Sequence, residues 1–376
     1  MAGPADRTGL DRRDTSVQAG DLRERLERLP AGHPSSPRET DLLPRRPVPG
    51  LSDLDADADE PIPAIPSGRA DRVGDRHEDR DAGRDAHRDA DLDGSHAGTA
   101  DQVPLTKAEW DEHVADVRSA LADAVAAKRA TNWQHTIDAD RQEWSPERNR
   151  VQGEIVADLY GRARDVPCDG QAIIAGGLGG AGKSTVLSSH VGIDLSQYLT
   201  INPDIIKEEM ARRGLIPDVE GLSPMEASEL VHEESSAVAK QLARKALADG
   251  RNVIWDITMS SRESTGERID GLRAVGYSVA GIFVDIPVET SVLRAEARHR
   301  MGQEDYRAGM GLGGRYVPAE VIRVQADEDW GSLNRKTFEA VRHQFDRWSR
   351  YDNSVDGRPP VLADSSQPDD DREERI

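Results

Sequence analysis

The sequence predicts an α/β fold, a parallel sheet with helices on both faces, preceded by a disordered arm and N-terminal helices. Three observations predict it. From Ala172 onward, short apolar runs alternate with amphipathic stretches of ten or more residues, the pattern of strands joined by helical crossovers. A glycine-rich loop ending in Lys183-Ser184 separates the first apolar run from the first helix. Finally, no Phe, Trp or Tyr occurs before Trp110. Without such side chains, burial in the first hundred residues cannot offset an ordering cost of roughly 1–2 kcal/mol per residue.

Taken in order, residues 1–105 read as a disordered, acidic and Pro-rich arm. A short charged helix over Asp14–Leu29 is stopped by Pro30, and the Pro-rich runs 44–49 and 61–66 favour extended backbone. The Asp/Arg/His tract 71–96 reads as a solvated tether. Asp89, Asp91, Asp93 and Gly94 imitate half of a calcium loop, but Ala100 stands where a bidentate glutamate is required, so no calcium site is predicted. Residues 106–165 form the N-terminal helices. Trp110, Val114, Val117, Leu121 and Val125 share one helical face over 106–130. Ser145-Pro146-Glu147 then opens a second helix with Val151, Ile155 and Leu159 inward.

The α/β domain spans 166–364. Strands are predicted at Ala172–Ala175, Tyr198–Ile201, Asn252–Ile257, Ser278–Asp285 and Pro360–Ala363. Helices are predicted from Lys183 and over Pro203–Arg213, Met225–Ala248, Arg262–Val275, Glu289–Arg300, Pro318–Asp327 and Leu333–Arg350, with a mobile glycine-rich loop at 302–314. Residues 365–376 read as a disordered tail. The ligand crevice of such a sheet lies at the carboxyl ends of its strands.

Composition narrows the function classes. A formal net charge of -21 argues against nonspecific nucleic-acid binding, which requires Lys and Arg on phosphates. One cysteine, Cys168, excludes an intramolecular disulfide framework and fits a reducing compartment. No apolar run approaches a membrane span or a signal peptide, so a cytoplasmic location is expected, with no membrane partner.

The loop Gly177-Leu178-Gly179-Gly180-Ala181-Gly182-Lys183-Ser184 satisfies Gly-x4-Gly-Lys-Ser between a strand and a helix, which makes the sheet P-loop NTPase-like. Gly177, Gly179, Gly180, Ala181 and Gly182 let backbone N–H groups converge on phosphate oxygens, and Thr185 lies in the helix turn beneath. Lys183 is predicted to reach the β- and γ-phosphates of ATP, and Ser184 to coordinate magnesium. Asp204, at the end of its strand, is a candidate base for an acceptor hydroxyl. Asp256 ends an apolar strand as a Walker B acid does, and either holds magnesium or contacts substrate, with Thr258 beside it. Glu234 lies at the margin of a buried helical stripe and is a substrate-binding candidate. Arg294, Arg298, Arg300 and Arg315 flank the glycine-rich loop, the composition of a lid that stabilises a transferring phosphoryl group.

Together with this loop, Ile201-Asn202-Pro203-Asp204, His232-Glu233-Glu234-Ser235, Val253-Ile254-Trp255-Asp256-Ile257-Thr258, the Arg294/Arg298 helix, Gly313-Gly314-Arg315-Tyr316-Val317-Pro318 and Tyr351-Asp352-Asn353-Ser354 resemble the zeta-toxin family of P-loop kinases. The resemblance covers about residues 140–355. It implies ATP- and magnesium-dependent phosphorylation of UDP-N-acetylglucosamine at the sugar 3′-hydroxyl, and an antitoxin protein as partner. It also implies Asp204 as base, Lys183 and Ser184 on phosphates and Mg2+, Arg298 and Arg315 on the transferring phosphate, and Glu234, Asp256 and Thr258 near substrate. The sequence departs from the best-known members at Asp256-Ile257, where they have Glu-Gly, and at Lys240, where a substrate-binding Glu aligns. A kinase of another hydroxylated small molecule, or a nucleotide-gated interaction protein, remains open.

Overall fold

Local capping chemistry starts the ordered chain. In the computed structural model, which describes residues 104–138 and 143–366, Thr106 and Glu109 close a reciprocal capping box on helix α1 (Lys107–Ala126). Of the predicted arm (1–105) and tail (365–376), residues 1–103 and 367–376 lie outside the described residues, and Ser365, expected in the tail, ends a strand instead. α1 stops four residues short of the predicted end, and Lys128 just beyond it takes a positive φ of 56°. A short helix α2 (Thr131–His135) and a small pairing of β1 (Thr136–Asp138) with β2 (Glu143–Trp144) follow, neither of them predicted. Helix α3 (Pro146–Arg162) begins where Ser145 caps it, as the sequence indicates.

The domain core is a six-stranded sheet in the order β10-β9-β6-β3-β5-β4. Its strands are β3 (Gln171–Gly176), β4 (Leu199–Ile201), β5 (Val253–Asp256), β6 (Ser278–Asp285), β9 (Arg347–Asp352) and β10 (Val361–Ser365). All pair in parallel except β10, which closes one edge antiparallel to β9. Side chains alternate cleanly between two cores. Ala172, Ile174, Trp255, Val279 and Phe283 face α3, α5 (Pro203–Arg212), α6 (His232–Ala248) and α7 (Arg262–Ala274). Ile173, Ala175, Ile254, Ile282 and Val284 face α4 (Lys183–Ser189) and α8 (Val288–Arg307).

Four boundaries differ from expectation. The helix predicted over Met225–Ala248 is a 3₁₀ turn at Glu226–Val231 followed by α6. α8 continues through Gly302 to Arg307, so the glycine-rich loop is shorter than predicted. The helix predicted over Pro318–Asp327 is only α9 (Ala319–Arg323), after which β7 (Ala326–Asp327) pairs with β8 (Gly331–Ser332). The helix predicted over Leu333–Arg350 ends as α10 (Leu333–Val341), and its second half is the internal strand β9. β9 was hidden because its arginines read as a charged helix end. In the fold, Arg350 lies 3.6 Å from Asp285 and 3.5 Å from Glu339, which neutralises it against the neighbouring elements.

One buried ion pair fastens the N-terminal helices to this domain. Arg148 on α3 donates through Nε and Nη2 to both oxygens of Glu234 on α6, at 2.6 and 2.8 Å, and Gln152 adds a 3.0 Å bond. Glu234 is only 1 % exposed. Removing one partner of such a pair strands a buried charge, whereas replacing both with apolar groups does not. Arg148→Ala is therefore expected to lower the unfolding free energy by about 3–5 kcal/mol in urea titrations, and Arg148→Met combined with Glu234→Leu to recover most of that loss.

Candidate active site

The phosphate loop runs from the end of β3 into α4, and its shape depends on two backbone requirements. Gly177 has φ +135°, and a Cβ there would fall 2.3 Å from the Val284 carbonyl oxygen. The loop carbonyls are tied down from behind. Ser291 Oγ donates to Gly179 O at 2.5 Å, Arg294 Nη1 to Gly180 O at 3.2 Å, and Asn353 Nδ2 to Ala181 O at 2.8 Å. Because C=O and N–H point oppositely across a trans peptide, these bonds turn the N–H groups of Gly180 and Gly182 to the other side. With the unpaired first-turn N–H groups of α4 at Lys183, Ser184 and Thr185, they form an anion cradle at a helix N-terminus. Arg294 is itself anchored, donating to Asn353 O at 2.9 Å and to Asp356 at 2.6 Å.

Charged groups gather in front of the loop. Lys183 Nζ donates to Gly177 O at 2.9 Å and lies 3.2 Å from Asp256 Oδ1. Asn202 links the two acids: its Nδ2 donates to Asp256 Oδ2 at 3.0 Å, while its Oδ1 accepts the Asp204 N–H at 2.8 Å and caps α5. Asp204 is ion-paired to Arg315, and Lys207 Nζ lies 3.8 Å away. Desolvation alone would raise the Asp204 pKa, but Arg315, Lys207, Lys183 and His232 outweigh it and hold the carboxyl below its ordinary value. Lys207 is buried, 3.2 Å from His232 Nδ1, and desolvation together with Arg315 brings its pKa down to about 8. Arg298 is exposed on α8. Desolvation and then Arg315 lower its pKa, against the pull of Asp204 and Asp256, so it shares their field.

Gly302 within α8 and Gly313 and Gly314 after it serve close approach, whereas Gly309 and Gly311 take positive φ with open space around them. A Cβ on Gly302 would meet Gly314 Cα at 2.7 Å, one on Gly314 would meet His299 O at 1.9 Å, and one on Gly313 would meet Ser223 Oγ at 2.0 Å. Met225 N also donates to Leu312 O at 3.1 Å. Backbone here packs directly on backbone, and that close approach delivers Arg315 to Asp204.

The structure thus brings together Lys183, Asp204, Asp256, Arg298 and Arg315. Ser184 and Thr185 are exposed in the first turn of α4. Thr258 bonds Ser260 Oγ at 3.4 Å, and its carbonyl accepts from Gly177 N–H at 3.2 Å. Glu234, expected at the rim of the crevice, instead has its carboxylate held by Arg148 and Gln152, because a basic residue on α3 meets it in the core. Lys207 and Ser291 escaped the sequence reading, and Asn202 and Asn353 entered it only inside motifs, with no role assigned. Only Asn202, a capping residue before Pro203, carried a local signal; the others act through tertiary contacts.

A model of the zeta toxin family matches residues 165–353. A UPF0200 protein of Aeropyrum pernix is 33 % identical over 177 residues, covering 44 % of this chain and 88 % of the relative. Among solved structures, the AvrRxo1-ORF1:AvrRxo1-ORF2 complex is similar at 16 % identity and a TM-score of 0.44, over 59 % of this chain and 68 % of that one. The PezAT chromosomal toxin–antitoxin system of Streptococcus pneumoniae is similar at 17 % identity and a TM-score of 0.41, over 57 % of this chain and 79 % of that one.

Two outcomes follow from the geometry. Gly314→Ala forces backbone apart at His299 and shifts Arg315. It is expected to slow catalysis by about 100-fold, the usual effect of a misplacement near 1 Å, while ATP affinity measured by calorimetry stays unchanged. For Lys207, the folded pKa lies below the unfolded value, so between about 8 and 10.5 the unfolded state holds the extra proton. Native stability therefore gains with rising pH across that window. Thermal unfolding of Lys207→Met is expected to lack this gain relative to the unmodified chain.

Proposed function

The chain belongs to the zeta toxin family, and we propose that it is an ATP-dependent phosphotransferase that uses Asp204 to direct an acceptor hydroxyl at the γ-phosphate. The observation that carries this reading is the adjacency of two half-sites. The anion cradle ends in Lys183, and Lys183 lies within the electrostatic reach of Asp204, itself ion-paired to Arg315. The cradle and Lys183 hold the triphosphate, and Arg298 supplies a guanidinium to the transferring group. Ser184 and Asp256 offer hard oxygen donors beside Lys183, a set that suits magnesium. Bound there, the ion neutralises charge on the phosphate oxygens.

Asp204, held ionised, accepts a hydrogen bond from the acceptor hydroxyl and orients it in line. Arg315 pairs with Asp204 before transfer. As negative charge develops on the equatorial phosphoryl oxygens, the guanidinium is drawn toward them and its hold on Asp204 relaxes. The carboxylate then becomes more basic as the hydroxyl proton has to leave.

We take UDP-N-acetylglucosamine, at its 3′-hydroxyl, as the first acceptor, with Asp256 and Thr258 on the acceptor side and an antitoxin protein as restraint. One observation favours a second acceptor class. Asp256-Ile257 and Lys240 replace residues the family uses toward the sugar nucleotide, so a different hydroxylated small molecule is the runner-up.

Incubation with ATP, magnesium and UDP-N-acetylglucosamine, read by mass, is expected to give the singly phosphorylated sugar nucleotide. Asp204→Asn is expected to cut turnover by about 10²–10⁴-fold while ATP still binds, and Lys183→Ala to lose both. Turnover with another alcohol alone rejects the sugar nucleotide; full activity of Asp204→Asn rejects the phosphotransfer mechanism itself.

A further inference from the structure

Away from the phosphate loop, three chain segments converge on one buried carboxylate. Glu226, in the 3₁₀ turn before α6, has a fully buried side chain. Its Oε1 lies 2.6 Å from His113 Nε2 on α1 and 2.9 Å from His299 Nε2 on α8. Its Oε2 accepts from the Ser223 N–H and hydroxyl, both at 2.9 Å. The three ligand atoms all lie within 4.8 Å of one another.

The cluster places a fully buried carboxylate between two imidazoles. A buried carboxylate requires a compensating cation. Among the described residues, none of its hydrogen-bond or ion-pair partners is a lysine or arginine. Two buried polar atoms close by also lack a partner. One is the indole Nε1 of Trp110, whose ring lies 4.8 Å from that of His299. The other is Oε1 of Gln303, one helical turn beyond His299 and next to Gly313 and Ser223.

We propose that His113, Glu226 and His299 bind a divalent transition metal, with zinc the best match to a two-histidine, one-carboxylate set, and that the ion fastens α1 to the arginine-bearing helix α8. Tetrahedral ligands about 2.0–2.1 Å from zinc stand about 3.3 Å apart. The present oxygen–nitrogen distances of 2.6 and 2.9 Å would open by about 0.7 and 0.4 Å and the two ring nitrogens, within 4.8 Å of each other, would settle to the same spacing, by rotations of the two imidazoles. On binding, the Nε2 protons relocate to Nδ1 and the nitrogen lone pairs face the ion, with a water as fourth ligand within range of Gln303. The ion would lie beside the Gly313–Arg315 segment, since Tyr316 packs 5.5 Å from His299 and Arg300 sits over Trp110.

The test uses the full chain, stripped with chelator and titrated with Co2+ in the absence of nucleotide. The expected result is one tight equivalent with the intense visible absorption of a tetrahedral site, displaced by Zn2+ and accompanied by a higher melting temperature. His113→Ala, at a partly exposed position, is expected to weaken that equivalent by about 100-fold or more, with Glu226→Gln as a second variant. Absence of saturable binding to the unmodified chain overturns the proposal. So does tight binding that survives unchanged in His113→Ala, which would place the metal elsewhere. A melting temperature that follows histidine protonation and ignores added metal overturns it as well, showing that imidazolium supplies the missing charge.

Discussion

The pairing of Asp204 with Arg315 is the constraint on which the rest of the site depends. These residues lie 111 positions apart, one in the first turn of α5 and the other after the glycine-rich segment. Their contribution to stability is modest, because the side chains remain 43 % and 35 % exposed and water screens the pair. Their value is positional. The N-terminus of α5 presents Asp204 at the strand end, with Asn202 bonded to both Asp204 and Asp256. Backbone packing of Gly302, Gly313 and Gly314 brings Arg315 to meet it. A side chain at Gly314 would break the arrangement through sterics, with no charge altered.

Helix α8 integrates the two halves of this arrangement. Ser291 and Arg294 on one face hold the carbonyls of the phosphate loop, and Arg298, a turn further along, stands in the field of Asp204 and Asp256. His299 and Gln303 turn toward Glu226 and α1. One rigid element therefore registers the loop that holds phosphate, the arginine that meets it and the N-terminal helix. Asn353, at the end of β9, completes the support by bonding Ala181 O. A loop backed in this way presents its N–H groups without having to reorganise when an anion arrives, and such preorganisation is where a phosphate site draws its electrostatic advantage.

What the sequence disclosed follows the range of the forces involved. The phosphate loop, the strands around Ile174, Ile254 and Ile282, and the cap at Ser145 are local or periodic features, and they were legible. Asp204 and Asp256 stood after or at strand ends and Arg315 beside Gly314, and the fold brings these three into one charged cluster with Lys183. The strand at Arg347–Asp352 was not legible, since its arginines find Asp285 and Glu339 only after the sheet forms. Glu234 was placed at a helical margin by periodicity, yet periodicity cannot show that Arg148 arrives from another helix to bury it. The close approach at Gly302, Gly313 and Gly314 was not legible, because sequence does not distinguish a glycine chosen for freedom from one chosen for close approach.

Lys207 shows how the acceptor side is tuned. A fully buried lysine costs desolvation that Asp204, at 3.8 Å, only partly returns, and the depressed pKa records the deficit. An apolar side chain would fill the same space without that cost. The lysine therefore contributes something other than stability: a fixed positive charge behind Asp204 that, unlike Arg315, cannot swing away toward a phosphate. In the proposed reaction, once Arg315 turns to the transferring group, Lys207 would continue to hold Asp204 in place and ionised, so the carboxylate would gain basicity without losing its position. On the proposed mechanism, a mobile cation in front and an immobile one behind would let one aspartate both orient an acceptor and receive its proton.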